Sequence, residues 1–554
     1  MAKRKAAKST KKVTVKTKAA KATVKKSKAD KRKATKAAKA KPADTTGLLI
    51  PPADGAVVRM YRTGHGDCFL LAFAGDDAAE PVYVLIDCGY KPGSPAKIQP
   101  PTNIKDITES IRVSTGGHID VAVITHEHQD HVNGITEKNF QGITIGEAWF
   151  AWTEDPEDDL ANSLRKLFKD KLLGLIAARN QMAAAGGETT KLIDSLLEFE
   201  LGGIDESEVF SAGLGFAAAH DVKGQSKNKK SMQVFKDLAE NGIRYLKPHD
   251  DILSLPGAKD VRVFSMGPPR NEDQLKDLDP QGDEAFHSLA LAAASPGNYF
   301  AAAAAGQSKS PFAARYQVPI SLAEYSGEHR LFYSSHYGDE FVGEENVPVT
   351  KQRGDNEVSD NAPWRRINTD WLYSAEQLAL DLNSYTNNGS LVLAFELGKG
   401  GKVLLFAADA QRGNWVSWAD QDWKDGKEKV TAKDLLNRTV LYKVGHHGSH
   451  NATLDGKDTD ASPNLSWMAQ GKYAKDFTAM ITAVRAWAET QKGWDHPLKA
   501  IKDALLRKAS GRVFQTDTKV QDMEKPATAS DTDWNRFQSR TTGHQWYFDL
   551  KIPK

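Results

Sequence analysis

Ile119-Asp120-Val121-Ala122-Val123-Ile124-Thr125-His126-Glu127-His128-Gln129-Asp130-His131 joins an apolar run to a dense group of metal-ligating side chains. The short, largely apolar run 119–124 predicts a strand buried on both faces. A buried strand that ends in His126, His128, Asp130 and His131 is unfavourable unless something binds there. In an extended segment, side chains two apart share a side, so His126 and His128 face one way, and Asp130 and His131 follow where the chain turns off. That pattern suits two adjacent metal ions held by imidazole and carboxylate, expected to be two Zn2+, with Mn2+ as the alternative. The bland alternative is a polar, His-rich turn that binds no metal.

Working outward, three further polar groups sit at the ends of apolar runs. Gly64-His65-Gly66-Asp67 separates predicted strands 57–61 and 68–73; Asp409 closes a strand over 402–407; His446-His447-Gly448-Ser449-His450 closes a strand over 439–444. Other predicted elements are strands at 82–86, 390–397, 477–484 and 512–515, and helices at 103–113 and 497–508. Strand blocks capped by helices predict a layered α/β body, and strand ends along one sheet edge are where such folds collect ligands. Between residues 146 and 383 the pattern is weaker. A strand ends near Trp149, Phe150 and Trp152, helices are expected at 160–184 and 191–198, and a hairpin over 252–266 turns at Pro256-Gly257. The Ala301 to Ala305 run, flanked by Pro296, Gly297 and Gly306, suggests a loop-rich insertion.

Taken together these motifs resemble the metallo-β-lactamase superfamily of hydrolases. The order His126-x-His128-x-Asp130-His131, then Asp409, then His446-His447-Gly448-Ser449 carries the likeness. More narrowly the chain is similar to the hydrolase domain of the competence-protein (ComEC-type) branch, through Gly64 to Asp67, Leu85-Ile86-Asp87-Cys88-Gly89, Asn387 to Leu393, Lys443 to Ser449, His496-Pro497 and Thr516-Asp517. The resemblance implies a four-layer αββα sandwich over residues 51–525, carrying a large α-rich insertion at about 150–383 and followed by a C-terminal extension, 526–554. It implies that His126 and His128 hold one zinc, Asp130 and His131 the other, that Asp409 bridges both, and that His446 or His447 completes the second site. Asp67 and Asp87 are then expected to orient ligand imidazoles, with Asn387, Asn388 and Ser449 bordering metal or substrate. Many members carry a further His just before the strand that begins near Ser390; here that place holds Asn387 and Asn388, which leaves the first metal with an open position. His220, His249, His287, His329 and His336 fall in the insertion and are read as ordinary surface or core histidines.

Net charge of +2 over 554 residues hides a division. Residues 1–42 contain 18 Lys or Arg and one acid, Asp30, so the remainder carries 56 basic against 71 acidic residues. The tail, taken with its linker as residues 1–50, is Lys/Ala-rich, lacks aromatic residues and cannot bury enough apolar surface to fold alone. It is expected to be disordered and to bind nucleic acid without sequence preference, or simply to solubilise the chain. No apolar signal core and no run of about 18 apolar residues is present, so a cytoplasmic, nucleoid-associated protein without a membrane partner is expected. Cys68 and Cys88 are too few for a disulfide scaffold and read as buried small apolar groups. Trp415 and Trp418, near Arg412, have helical spacing that favours core packing over base stacking.

The leading functional expectation is a phosphodiesterase or nuclease that uses a dinuclear zinc site and a metal-activated water. Asp130 and Asp409 would share proton handling, and His447 or His496 would protonate or steady the leaving oxygen. The alternatives are a hydrolase of a small phosphodiester, lactone or thioester, and a nucleic-acid-binding protein with a structural or inactive metal site.

Overall fold

Strands that are apolar on both faces organise the chain into two large sheets. The computed structural model describes residues 47–77, 80–184, 190–202, 226–286, 350–353, 356–359, 374–491 and 494–554. The Lys-rich tail, the Ala301 to Ala305 run, and His220, His287, His329 and His336 lie outside them. His249 is exposed.

The first eight strands are β1 (Ala56–Tyr61), β2 (Phe69–Phe73), β3 (Val82–Ile86), β4 (His118–Ile124), β5 (Thr144–Ala151), β6 (Ile243–Leu246), β7 (Leu253–Leu255) and β8 (Ala258–Gly267). A short hairpin, β9 (Thr350–Arg353) and β10 (Asn356–Ser359), precedes β11 (Val392–Leu397) and β12 (Lys402–Phe406). A second hairpin, β13 (Asp422–Asp425) and β14 (Glu428–Thr431), leads to β15 (Thr439–Lys443), β16 (Thr478–Ile481), β17 (Val513–Gln515), β18 (Thr541–Gly543) and β19 (Tyr547–Ile552). One sheet has the order β18-β19-β1-β2-β3-β4-β5-β6 and the other β17-β16-β15-β12-β11-β8-β7.

Side-chain alternation explains how both sheets are buried. Val58, Met60, Phe69, Leu71, Val84, Ile86, Val121 and Val123 of the first sheet share a core with Leu393, Phe395, Leu404, Phe406 and Met480 of the second. The intervening residues face helices. Val57, Leu70, Leu85, Ala122 and Ile124 pack with Ile107 and Ile111 of helix Ile104–Ser114 and with Met232 and Phe235 of helix Lys227–Leu238. Val392, Ala394, Val403 and Leu405 pack with Leu435, Leu436, Ile501, Leu505, Trp415 and Trp418. Both tryptophans are therefore core residues, their indole N–H groups donating to the carbonyls of Ala452 and Met266. Cys68 and Cys88 are buried free thiols, as expected.

Two expected boundaries change. Residues 526–554 are not an appendage, because β19 lies between β18 and β1 and its Phe548, Leu550 and Ile552 enter the shared core. The insertion is smaller than 150–383, because β6 joins the first sheet and β7 and β8 join the second. The inserted helices Asp159–Ala184, Thr190–Leu201 and Ser374–Asn388 instead meet around a separate small core of Leu175, Ile193, Leu196, Leu197, Ala379 and Leu382. No helix among the described residues is long and apolar enough to cross a membrane.

Candidate functional site

The strand directions bring the polar groups to one edge. β3 and β4 are parallel, so Asp87 and the segment Thr125 to His131 leave the first sheet side by side, while antiparallel β2 brings Asp67 to the same end. In the second sheet β12, β15 and β16 are parallel, which aligns Asp409, the His446-His447 turn and Thr482; antiparallel β11 begins there with Ser390 just before it. Residues far apart in sequence thus meet for a topological reason.

Three buried sets result among the described residues: Asp130, His131, Asp409 and His447; His126, His128 and Asp409; and Asp67, Asp87 and His131, each with ligand atoms within 4.8 Å of one another. His126 Nε2 lies 3.1 Å from His128 Nδ1 and 4.0 Å from Asp409 Oδ2. His131 Nε2 lies 3.2 Å from Asp409 Oδ2, and His447 Nε2 lies 3.1 Å from Asp130 Oδ2 and 3.4 Å from Asp409 Oδ2. Of the terminal pair, His447 enters the group, whereas His446 Nε2 pairs with Asn387 Nδ2 at 3.1 Å.

Partners fix which ring nitrogen faces inward. Asp87 Oδ2 takes His131 Nδ1 at 2.8 Å and is itself held by the hydroxyl of Thr125, while its other oxygen accepts from the Thr125 amide. The carbonyl of Thr482 faces His447 Nδ1 at 3.0 Å. Ser390 Oγ meets His126 Nδ1 at 3.2 Å and accepts from the Asp409 amide. Lys443, fully buried, places Nζ 2.6 Å from Asp67 Oδ2, 2.7 Å from the Ala408 carbonyl and 3.4 Å from Asp409 Oδ1. Asp67 is therefore paired with Lys443, and Asp87 with the Nδ1 of His131. Asn388 is structural: it donates to the carbonyls of Gln274 and Leu275 and accepts from the Gln411 amide. Ser449 is buried beside His450 and makes no hydrogen bond to the group.

Electrostatics divide the histidines. Burial, with His131 and His128 nearby, holds His126 well below the ordinary imidazole range. Burial also opposes protonation of His447, but Asp409 and Asp130 outweigh it and raise it to about 9. For His131 the same opposition is overcome by Asp409, Asp67 and Asp87, which raise it well above its usual value. Burial pushes the Asp130 and Asp409 carboxyls upward, yet their cationic neighbours, Lys91 and His447 foremost respectively, bring both well below the carboxylate range. His496, stacked on His65, is held well below the imidazole range by burial and by His446 and His447. It therefore offers a neutral ring nitrogen, not the imidazolium proton a strong general acid would need.

The donor set fits a bound cation. Asp130 Oδ1, Asp409 Oδ2 and His131 Nε2 are buried and point into the group without a hydrogen bond of good geometry, the last two facing each other as an ion pair at 3.2 Å. Unpartnered buried polar atoms are costly and mostly satisfied in native proteins, and imidazole with carboxylate is an ordinary zinc set. Buried His and Asp residues thus form a group that could hold a metal ion.

Two contributors carry no sequence signal of their own. Glu200, at the end of helix Thr190–Leu201, places Oε1 2.8 Å from His128 Nε2 and accepts from Thr386 through Oε2. Lys91 lies just beyond the Leu85 to Gly89 motif, and burial brings its ammonium down to about 7 despite the attraction of Asp130, Glu200 and Asp409. No protein-family model matches the chain, and a search of curated proteins finds no match.

Proposed function

We propose that the chain is a metal-dependent hydrolase of the metallo-β-lactamase fold, of the ComEC-like kind, that cleaves phosphodiesters. The observation that carries this reading is the buried His/Asp group whose inward-facing atoms, Asp130 Oδ1, Asp409 Oδ2 and His131 Nε2, lack a hydrogen bond of good geometry. The shared core between the sheets, with helices on the outer faces, supports the four-layer αββα arrangement expected for such enzymes.

In this reading His126, His128 and Asp409 hold one divalent ion, and Asp130, His131, Asp409 and His447 hold a second. Such ions supply charge neutralisation at phosphoryl oxygens and activation of water as the nucleophile. The chain's own groups do the rest. Asp87 and Thr482 keep the Nε2 atoms of His131 and His447 directed inward. Asp130 Oδ1 is the free carboxylate oxygen able to take a proton from the nucleophile. Lys443 holds Asp409 Oδ1 and leaves Oδ2 for the group. Asn387, standing where many relatives of this fold carry a histidine, engages His446 and keeps the His126 side less fully ligated.

The test is hydrolysis of DNA, RNA and small phosphodiesters by the full-length protein, with and without a chelator and in Asp130→Asn. Activity lost in both cases supports the proposal; cleavage undiminished in both overturns it.

A further inference from the structure

We propose that Lys91 is the contact for an anionic oxygen of the substrate, so that the site selects an anionic ester over a neutral one. This rests on the hydrolytic reading of the His/Asp group. Lys91 is only 5% exposed, and its Nζ lies over the ring of Phe199 and 4.9 Å from the ring centre of Trp494. Among the described residues no carboxylate or carbonyl accepts a hydrogen bond from it. Its N–H groups, on a mostly buried side chain, are thus left to solvent or to whatever enters beside the His/Asp group. The contrast with Lys443 is direct: equally buried, that residue has Asp67, Asp409 and the Ala408 carbonyl as partners.

The position is built rather than incidental. The Lys91 amide donates to the His65 carbonyl at 2.6 Å, and its own carbonyl accepts from Ser94 Oγ at 2.6 Å. Two residues earlier, Gly89 lies so close to the backbone of Asp130 and His131 that a Cβ there would collide with both. The turn carrying Lys91 is therefore pressed against the segment carrying two of the ligands.

Charge gives the second argument. Asp130, Glu200 and Asp409 are the charges that act most on Lys91, with Glu198 after them, and none of them makes a hydrogen bond to it. Divalent ions on the His/Asp group would take Asp130 and Asp409 as their own partners. Lys91 then faces Phe199 and Trp494, which offer it ring faces but no acceptor. A tetrahedral or planar oxyanion supplies the missing acceptor.

The test uses zinc-loaded full-length protein titrated with methylphosphonate by calorimetry. Lys91→Met should bind about tenfold or more weakly than the parent, the scale of one charged hydrogen bond, with zinc content unchanged. Lys91→Arg should stay within a few-fold. Equal affinity in Lys91→Met and the parent, or no binding by the parent, overturns the proposal. So does loss of zinc from both Lys91→Met and Lys91→Gln, which would make the residue a structural prop. Hydrolysis of bis(p-nitrophenyl) phosphate by the parent separates the two readings: its absence, with Lys91-dependent anion binding intact, sinks the hydrolase reading and leaves the anion contact standing.

Discussion

Glu200 offers the sharpest test of how the inserted helices serve the site. Its Oε1 lies 2.8 Å from His128 Nε2, and both side chains are sealed from solvent, with relative exposures of 2% and 0%. If His128 presents Nδ1 to a metal beside His126 Nε2, its other nitrogen carries the proton that Glu200 accepts. Removing the carboxylate leaves a buried ring N–H unsatisfied, at about 1–3 kcal/mol. Converted at about 1.4 kcal/mol per decade, that is roughly 5- to 150-fold in metal affinity, which brackets the 10- to 100-fold typical of such supporting partners. Glu200→Ala should therefore weaken zinc binding by about 10- to 100-fold, measured by competition with a chromophoric chelator at fixed pH. Glu200→Gln keeps an acceptor oxygen and should lose less. Melting of the chelated proteins serves as control, because helix Thr190–Leu201 also packs through Ile193, Leu196 and Leu197. Zinc affinity unchanged in Glu200→Ala would refute the reasoning. Equal losses in the Ala and Gln variants, matched by equal destabilisation without metal, would assign the effect to helix docking.

His447→Ala should lower the zinc stoichiometry measured by atomic absorption, whereas His446→Ala, whose ring pairs with Asn387, should retain it. In the chelated protein, His447 is raised to about 9 and His131 is also raised, so their protonated forms contribute stability that is complete below the unfolded value near 6.5. That contribution is lost as pH rises through the folded values, so the melting temperature of the chelated protein should fall between about pH 6.5 and 9. Zinc binding near pH 7 should correspondingly release about two protons, read by calorimetry in buffers of different ionisation enthalpy. Deleting residues 1–42 should weaken DNA binding and flatten its salt dependence in an anisotropy titration, while turnover of a small phosphodiester stays unchanged.

The members of the His/Asp group were legible because each closes an apolar run. A segment such as 119–124 must be a buried strand, so His126 to His131 must emerge at its end, and the same holds for Asp409 after β12 and His447 after β15. The C-terminal strand was equally readable in principle, since Phe548, Leu550 and Ile552 alternate with period two. The insertion's limits were not. Isoleucine 243 and Arg244 of β6 are exposed at a sheet edge, so no buried apolar pattern announces that strand, and sheet membership of the 252–266 hairpin depends on β11, which lies far along the chain. Glu200 lies 72 residues from the imidazole it supports. Nothing local distinguishes it from Glu198 two residues earlier, which is exposed.

The choice between His446 and His447 turns on backbone geometry that residue identity does not encode. Asp87, Ala408, His446 and His447 all adopt positive φ, at 55°, 47°, 39° and 53°. For non-glycine residues each such conformation costs on the order of 1–3 kcal/mol, and it persists only where the surroundings enforce it. Here the enforcement is visible. The turned Ala408 carbonyl accepts from Lys443 Nζ and from the His446 amide, and Asp87 is pinned by Thr125 and His131. These four residues stand at strand ends beside the His/Asp group, where relaxing any one would turn a member of the group or its partner away. Positive φ also occurs elsewhere in the chain, at His249, Ala469 and Ser510, so strain alone does not mark the site; what sets these four apart is that their turned backbone at the ends of β3, β12 and β15 fixes where Asp409, His131 and His447 meet.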